Sequence, residues 1–354
     1  MCLEKLRESI DKLDESLVKL INERALIVRQ IGRLKAEGST NVYAPAREKA
    51  VYDHAASANK GPISDKALTA VFREIMSGCI ALEKPLRIAY LGPEGTFTHW
   101  AALSKFGDCV AYVPCGSMDE VFTEAERKRV DYGVVPVENS SEGGIRETLS
   151  RFLESAVRVC AEITLDIHHA LLAKGPIGEI TKVYSKGTVF AQTRGWLKSN
   201  LPGVDLVDVA STGRGAELAA REPGAAAIGH ASLAAAYGLN VLADNIEDLA
   251  HNVTRFFVLG DHTSEPTGND KTTILCSVKD KPGALYDLLK PFKDRDVNMT
   301  FIESFPSPRV AWQYYFFIDL TGHPEDEGTR LALEKMRQEC ETFRVLGAYP
   351  RCAE

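Results

Sequence analysis

The chain has 354 residues, which is more than one hydrophobic core usually organises, so two or three domains are expected. The composition is ordinary for a globular protein, and a formal net charge of -7 argues against a general nucleic-acid or membrane-surface binder. The eight cysteines show no C-x-x-C pair and no metal-ligand spacing, the N-terminus does not resemble a signal peptide, and no apolar run approaches about 18 residues. We therefore expect a cytoplasmic protein with reduced thiols and no metal site.

Residues 1–84 predict an all-α domain. Apolar residues near the N-terminus alternate in steps of three and four, which indicates one long helix that ends near Glu37. Two further helical patterns follow at 45–58 and 64–83. One position of the apolar seam in the long helix is occupied by Arg24, where a charged side chain needs a partner.

Several cations accompany Arg24. A single polar residue in such a seam can simply fix register or oligomeric state, but Lys35 projects from the same face and Arg47 opens the next helix. Arg7 lies roughly 25 Å from Arg24 along one helix, too far for both to bind the same small anion. We therefore expect an intertwined dimer in which Arg7 serves the pocket of the partner chain.

The motifs L-R-E-S-I-D at 6–11, E-R at 23–24, Y-A-P-A-R-E at 43–48 and I-M-S-G-C-I-A-L-E at 75–83 resemble the helical chorismate mutase family. That family's rearrangement is pericyclic, so it needs no cofactor; the enzyme holds the reactive chair and stabilises negative charge on the ether oxygen. The resemblance implies carboxylate clamps at Arg7, Arg24 and Arg47, contacts to the ether oxygen from Lys35 and Glu83, a contact to the substrate hydroxyl from Glu48, and Cys79 at the periphery. Because Glu83 helps only when protonated, mutase activity is predicted to fall as pH rises.

Residues 86–262 predict an α/β domain with parallel sheets, because short β runs alternate with helical patterns. The predicted strands are R-I-A-Y-L-G, D-Y-G-V-V-P-V, K-V-Y-S, V-D-L-V-D-V-A and A-A-A-I-G-H. Four of them run into loops rich in glycine and polar residues, and such loops meet where open α/β sheets bind ligands. Helix N-termini in these loops can hold carboxylates, and the spacing fits no nucleotide-binding motif, so no cofactor is expected.

A late strand, F-F-V-L-G, returns near the end of this segment, which predicts two α/β lobes of the periplasmic-binding type with a ligand between them. The set G-P-E-G-T-F-T-H, V-P-V-E-N-S-S-E-G-G, A-S-T-G and N-V-T-R-F-F-V-L-G resembles the prephenate dehydratase family. The resemblance implies Thr254 as the hydrogen-bond donor to the departing ring hydroxyl, and substrate contacts from Thr96, Asn139, Ser140, Ser211, Thr212 and Arg255. Lys186 and Gly187 depart from the family's His-Pro, which leaves the role of that loop open. His99 and His251 are candidate acids, although structural roles are the expectation.

Residues 271–351 show the order βαββαβ, which predicts a ferredoxin-like α+β domain. P-G-A-L at 282–285 and I-E-S-F-P at 302–306 resemble ACT domains, which pair between subunits and bind amino acids. The resemblance implies L-phenylalanine as effector, bound through Gly283, Ala284, Leu285, Glu303 and Ser304. Phe305 stands where the family motif has arginine, which could weaken effector binding, retune it or matter little.

Together the three segments predict a bifunctional enzyme of phenylalanine biosynthesis. It would rearrange chorismate to prephenate and convert prephenate to phenylpyruvate under feedback by L-phenylalanine, as a homodimer or homotetramer. Two alternatives stay open at this point: a dehydratase that prefers arogenate, and a non-catalytic binding protein that responds to amino acids.

Overall fold

The computed structural model describes residues 3–37, 43–141, 143–249, 251–307 and 313–352. The chain divides into two compact units: the first contains residues 1–87 and 105–111, and the second contains 88–104 and 112–354. No helix in the described part of the chain is both long enough and apolar enough to cross a bilayer.

The first unit contains three helices, α1 (Leu3–Glu37), α2 (Pro45–Ala58) and α3 (Asp65–Glu83). Pro45 begins α2, where its fixed φ suits the first turn and its missing N–H costs nothing. Ser64 caps α3 by accepting a hydrogen bond from Ala67 N over 3.3 Å. The predicted all-α segment and its three helices are therefore confirmed.

Helix α1 leaves its apolar stripe uncovered in the single chain. Its 35 residues extend about 52 Å, and Leu13, Leu17 and Leu20 are 64%, 55% and 60% exposed. Leucines at helical spacing normally face a core, so this stripe is a surface without a partner in one chain.

The second unit alternates strands and helices. Its first part contains β1 (Arg87–Leu91), α4 (Phe97–Phe106), β2 (Ala111–Cys115), α5 (Met118–Glu126), β3 (Tyr132–Asn139), β4 (Gly143–Gly144), α6 (Arg146–Arg151) and β5 (Arg158–Asp166). Next come β6 (Ala170–Ala173), a 3₁₀ turn (Ile177–Glu179), β7 (Lys182–Ser185), α7 (Gly187–Gln192), α8 (Arg194–Asn200), β8 (Asp205–Asp208), α9 (Thr212–Arg221), β9 (Ala225–Gly229), α10 (Leu233–Tyr237), β10 (Asn240–Ala243) and β11 (Val253–Gly260). The last part contains β12 (Asp270–Ser277), α11 (Ala284–Asp294), β13 (Met299–Pro306), β14 (Tyr314–Thr321), α12 (Glu327–Glu339) and β15 (Thr342–Pro350).

Two sheets make up the α/β segment, in the orders β2-β1-β3-β11-β5 and β10-β6-β9-β7-β8, with β4 paired to β3. The prediction of parallel sheets is wrong in part. β1 is parallel to β3, and β7 is parallel to β8 and β9, but β11 is antiparallel to both of its neighbours and β6 is antiparallel to β9 and β10. The chain leaves the first sheet after β5 and returns to it as β11. The returning strand runs opposite to its neighbours β3 and β5. Local periodicity carries no information about strand direction, and it also missed β2, β5, β6 and β10.

The C-terminal segment forms an antiparallel sheet in the order β13-β14-β12-β15, and its elements follow the predicted order βαββαβ. Its sheet and the first sheet of the α/β segment share one hydrophobic core. The Phe257 ring on β11 stacks 6.1 Å from that of Phe317 on β14, and an ideal Cβ on Gly347 would lie 2.0 Å from Val159 O. Phe305 is 5% exposed within this core, so the residue that replaces the motif arginine packs inward.

Candidate functional site

The helices of the first unit enclose a cavity of about 200 Å³. Six of the residues that the sequence singled out line it: Arg24, Lys35, Arg47, Glu48, Cys79 and Glu83. Three elements bring them together, because α1 carries Arg24 and Lys35, α2 carries Arg47 and Glu48, and α3 carries Cys79 and Glu83. Cations thus outnumber carboxylates in this set, which is the balance expected of a dicarboxylate site.

Pairs of these residues contact one another across the cavity. Lys35 Nζ lies 3.5 Å from Glu83 Oε1, and the Glu83 side chain is 6% exposed. Arg24 donates from Nη1 to Cys79 Sγ over 3.0 Å. Lys35 and Glu83 therefore reach the same point of the wall, and their contact with one substrate atom stays a prediction.

Glu48 is held by two tyrosines. Tyr43 Oη donates to Oε2 over 3.1 Å, and Tyr52 Oη donates to Oε1 over 3.2 Å. Burial raises the pKa of Tyr52 well above its usual value, and the Glu48 charge raises it further, so Tyr52 stays a neutral donor. The sequence analysis assigned no role to either tyrosine.

Arg7 does not line this cavity; it lies on the exposed surface of α1. As expected from its distance along α1, Arg7 lies outside the cavity of its own chain. Its contribution to the cavity of a partner chain stays a prediction. Arg73 and Lys105 are cations of the lining that the sequence analysis missed. Arg73 pairs with Glu74 over 2.9 Å, and Lys105 follows the helical segment by some twenty residues, where no motif drew attention to it.

A second cavity, of about 770 Å³, lies in the α/β segment. Each of the four predicted loops contributes to its wall, through Thr96 after β1, Asn139 at the end of β3, Lys186 after β7 and Ser211 after β8. Of the residues implied by resemblance, those that line it are Thr96, Asn139, Ser211, Thr212 and Thr254. The convergence of the loops is therefore observed, although two of the sheets' strands run in unexpected directions.

Helix caps account for the local structure of two of these loops. Thr96 precedes α4; its hydroxyl donates to Leu91 O over 2.8 Å and accepts from His99 N over 3.3 Å. Ser211 caps α9 by accepting from Arg214 N over 3.0 Å. Residues at both helix starts line the cavity, and the partial positive charge of a helix N-terminus favours an anionic ligand.

Arg255 does not line the cavity, so the expectation that it contacts substrate is wrong. Successive side chains of a strand point to opposite faces, and Asn252, Thr254 and Phe256 take the cavity side of β11. Arg255 therefore points to the other face, where it is 7% exposed and bonded to protein carboxylates. The pleat, applied to the strand, could have predicted this separation of Thr254 from Arg255.

The partners of Arg255 come from two segments. Its Nε donates to Glu162 Oε2 over 2.7 Å, its Nη2 donates to Tyr349 Oη over 2.9 Å, and its Nη1 contacts Asp319. Burial alone would lower the pKa of Arg255, but Asp319, Tyr349 and Glu162 reverse this and raise it well above its usual value. The guanidinium is thus a permanent cation that links β11 to the C-terminal sheet.

Ser140 also lies outside the cavity lining, contrary to expectation. Its hydroxyl donates to His251 O over 3.2 Å and accepts from Val253 N over 3.0 Å. These bonds join the end of β3 to the start of β11, so Ser140 fixes the backbone beside Asn139 and Thr254. In this structure Ser140 stabilises the loop and does not face the ligand cavity.

Asn139 orients Thr254. The Asn139 Oδ1 atom accepts from Ser141 N over 2.9 Å, which fixes the direction of the amide. Its Nδ2 then donates to Thr254 Oγ1 and to Asn252 Oδ1, each over 2.9 Å. The Asn139 NH₂ group cannot accept a hydrogen bond from the Thr254 hydroxyl. The hydroxyl hydrogen can therefore be donated to a ligand in the cavity.

The hydrogen-bond chain extends to residues that the sequence analysis missed. Asn252 Nδ2 donates to Gln192 Oε1 over 3.2 Å, and the same oxygen lies 2.8 Å from His169 Nε2. Burial lowers the pKa of His169, so its ring is neutral at neutral pH, with the proton on Nε2 facing that oxygen. Gln192 and His169 both line the cavity, and only their spatial position reveals them.

The histidines that the sequence did single out have structural positions. His99 is 7% exposed, accepts from Gly95 N over 3.1 Å at Nδ1 and stacks on Tyr90 at 4.6 Å between ring centroids. His251 is exposed, and the contact that it makes to Ser140 is through its carbonyl. Neither lines the cavity.

A third cavity, of about 310 Å³, lies in the C-terminal segment. Gly283, Ala284 and Leu285 line it, and Gly283 is the N-cap that precedes α11, in the left-handed region at φ 80°. Glu303 and Ser304 lie on β13 and do not line this cavity. Within one chain, therefore, this cavity contains only one of the two motifs implied to bind the effector.

Comparison with known proteins assigns these segments to families. The family models for chorismate mutase type II, prephenate dehydratase and the ACT domain match residues 6–84, 88–264 and 272–338. A bifunctional chorismate mutase/prephenate dehydratase of Aquifex aeolicus is 44% identical over 99% of this chain and 98% of its own length. The chain belongs to the bifunctional chorismate mutase/prephenate dehydratase family.

Further relatives agree with this membership. A bifunctional chorismate mutase/prephenate dehydratase of Pseudomonas aeruginosa is 45% identical over 99% of this chain and 98% of its own length. The solved prephenate dehydratase of Arthrobacter aurescens, in complex with L-Phe, is 34% identical, covers 75% of this chain and 90% of that one, and superimposes with a TM-score of 0.70. The predicted architecture is confirmed: a helical chorismate mutase domain, a two-lobed α/β dehydratase domain and a ferredoxin-like ACT domain.

Proposed function

We propose that the protein rearranges chorismate to prephenate in the helical cavity and converts prephenate to phenylpyruvate in the α/β cavity. Six of the implied mutase residues line one cavity and five of the implied dehydratase residues line another, and the two reactions are consecutive. The observation that carries the proposal is the hydrogen bond from Asn139 to Thr254, because it leaves a donor aimed at the second pocket.

In the mutase step, one carbon–oxygen bond of the ether breaks while one carbon–carbon bond forms, with no group entering or leaving. Arg24 and Arg47 hold the two substrate carboxylates, with Arg7 supplied by a second chain. Lys35 and Glu83, 3.5 Å apart, meet the ether oxygen on which negative charge develops, and Glu48 accepts from the substrate hydroxyl. Charge stabilisation that is realised only in the transition state accelerates the step.

In the dehydratase step, the ring carboxylate leaves as carbon dioxide, its bonding electrons complete the aromatic ring, and the ring hydroxyl leaves as water after taking up a proton. Thr254 donates a hydrogen bond to the departing oxygen, which lowers the cost of the charge that collects there. The starts of α4 and α9 hold the carboxylates, with Thr96, Ser211 and Thr212 at those positions.

L-Phenylalanine is the proposed effector. The matching ACT model, the cavity at Gly283 to Leu285 and the L-Phe complex of the Arthrobacter dehydratase support this role. Glu303 and Ser304 would join the site from a second chain, since they are absent from the cavity of their own. Millimolar L-phenylalanine should then inhibit the dehydratase step.

The proposed oligomer is a homodimer or homotetramer in which a second copy covers the exposed leucine stripe of α1. The same packing brings Arg7 to the partner's pocket. None of the described cysteines forms a disulfide, which is compatible with a reducing cytoplasm. Light scattering of Leu13→Glu, which places a charge in the stripe, should show dissociation together with loss of mutase turnover.

One assay tests both activities. Purified protein is given chorismate, and phenylpyruvate is followed by its absorbance in alkali, with prephenate supplied in a parallel reaction. Product from both substrates is the expected result. Prephenate that accumulates from chorismate would leave only the mutase, and no turnover of either substrate would reduce the protein to a binding module.

A further inference from the structure

Lys105 occupies an unexpected place in the mutase pocket. It lies on the last turn of α4, outside residues 6–84 that match the chorismate mutase family, yet it lines the helical cavity. Residues 105–111 belong to the same compact unit as the three mutase helices. A charged wall residue of the mutase is therefore supplied by a stretch of chain beyond the mutase sequence.

The side chain of Lys105 pairs with Glu48. Its Nζ lies 2.8 Å from Glu48 Oε2, and the two side chains are 21% and 10% exposed. Lys105 is the cation found within ion-pair distance of Glu48 among the residues that the structure describes. A charge-assisted bond at this length in a partly buried site fixes the direction of the carboxylate.

The backbone around Lys105 is anchored to the helices. The Phe106 ring lies 5.1 Å from that of Tyr43, and Cys109 N donates to Ser77 Oγ over 3.1 Å. Gly107 has φ 68°, and a Cβ on it would lie 2.7 Å from Ser77 Cβ. Close packing of the residues that follow Lys105 holds this stretch of backbone at the wall, so the ion pair is not a chance contact of a surface lysine.

Counting acceptor positions shows what this pairing leaves for the substrate. An ionised carboxylate offers about four lone-pair positions. On Glu48, Oε2 receives Tyr43 and Lys105, and Oε1 receives Tyr52. The remaining position is on Oε1, so the three protein donors together direct one acceptor at a hydroxyl in the pocket.

We propose that Lys105 is a positioning residue of the chorismate mutase reaction, acting through Glu48. This inference rests on the proposed mutase function and on Glu48 as acceptor for the substrate hydroxyl. Lys105 also adds a positive charge to a pocket that receives a dianion, and the loss of both effects would weaken binding and orientation together.

The test uses the full-length protein and measures kcat and KM for chorismate. Lys105→Met should lower kcat/KM at least about tenfold, and Lys105→Arg, which keeps a donor and the charge, should stay within about threefold of wild type. The matched control is Lys49→Met, because Lys49 pairs with Asp53 over 2.6 Å on α2 and does not line the cavity. Turnover of supplied prephenate checks folding, and Lys105→Gln replaces Lys105→Met if that variant does not fold.

A double-mutant comparison decides whether Lys105 acts through Glu48. In a Glu48→Gln background, Lys105→Met should cost clearly less in kcat/KM than in the wild-type background, because the carboxylate that Lys105 pairs with is gone and only the effect of its charge on the substrate remains to be lost. An equal loss in both backgrounds, or a Lys105→Met variant that behaves like Lys49→Met, would overturn the inference. Failure of the wild type to turn over chorismate would instead refute the proposed mutase function, so the two failures can be distinguished.

Discussion

Asn139 Nδ2 donates to Thr254 Oγ1 over 2.9 Å, across the pair of strands β3 and β11. The bond fills an acceptor position of the threonine hydroxyl and directs its hydrogen elsewhere. A hydroxyl is a poor acid, but a hydroxyl with a fixed direction stabilises a departing oxygen without having to reorganise. This pairing supports the donor role that we propose for Thr254.

Substitution of Thr254 should separate the two activities. Thr254→Val keeps the volume and removes the donor, so dehydratase kcat should fall at least about 100-fold, as when one donor to a developing oxyanion is removed. Thr254→Ser retains a hydroxyl and should keep most of the rate. Mutase turnover of chorismate is the internal control, and a Thr254→Val enzyme with near-normal dehydratase kcat would show that another group is the donor.

Asn139→Asp tests the direction of that hydroxyl. An aspartate accepts hydrogen bonds where the amide donated them, so the Thr254 hydroxyl would donate to the carboxylate and no longer to the substrate. The dehydratase rate should therefore fall more for Asn139→Asp than for Asn139→Ala, which leaves the hydroxyl free to rotate. Steady-state kinetics on prephenate give the order, and the reverse order would contradict the role of Asn139.

Glu83→Gln and Glu83→Ala test the contact of this side chain with the ether oxygen. Glutamine keeps the length of the side chain and donates from its amide, so Glu83→Gln should keep most of the mutase rate, whereas Glu83→Ala removes the contact and should lower kcat/KM at least about tenfold. Steady-state rates with chorismate give the comparison, and dehydratase turnover of prephenate is the control. An equal loss in both variants would contradict a hydrogen-bonding role of Glu83.

The buried network around Arg255 predicts sensitivity to acid. Burial would raise the pKa of Glu162, but Arg255 and Lys271 outweigh it and hold the pKa below its usual value. A carboxyl whose pKa is lowered by folding stabilises the folded state at neutral pH, and this stabilisation is lost as pH falls below about 4. Glu162→Gln should be destabilised by roughly 3–5 kcal/mol at pH 7, because it leaves cations without their carboxylate.

Thermal melts of wild type and Glu162→Gln at pH 7 and pH 3 measure this effect. The difference in stability between the two proteins should narrow at the lower pH. A difference that does not change with pH would mean that the charge of Glu162 contributes nothing.

Gly347→Ala tests the close approach of the ACT sheet to the dehydratase sheet. A Cβ at Gly347 would lie 2.0 Å from the backbone oxygen of Val159, so the strands must move apart. Overpacking of this kind typically costs about 1–3 kcal/mol. Gly178→Ala is the matched control, because no atom lies within 4 Å of its Cβ position, and chemical denaturation should separate the two variants.

The sequence predicted what depends on local pattern and failed where distant segments meet. The three mutase helices follow from apolar spacing, and six implied mutase residues line one pocket because each follows from a position on a helix face. The antiparallel orientation of β11 was not predicted, because the residues of a strand do not specify which strands will pair with it. The prediction for Arg255 failed for a different reason. Arg255 follows Thr254 directly in the motif, but consecutive side chains of a strand point to opposite faces of the sheet. Lys105, Gln192 and His169 carry no local signal, because their significance arises from what folds beside them.

The core that unites Phe257 and Phe317 also has a consequence for how the protein unfolds. A continuous apolar core cannot be opened on one side while the other stays packed, so the first dehydratase sheet and the ACT sheet should form one cooperative folding unit. Amide hydrogens of β11 and β12 should then exchange with solvent at similar rates. Cleavage of the polar link between these strands should leave two fragments that remain associated until both denature together.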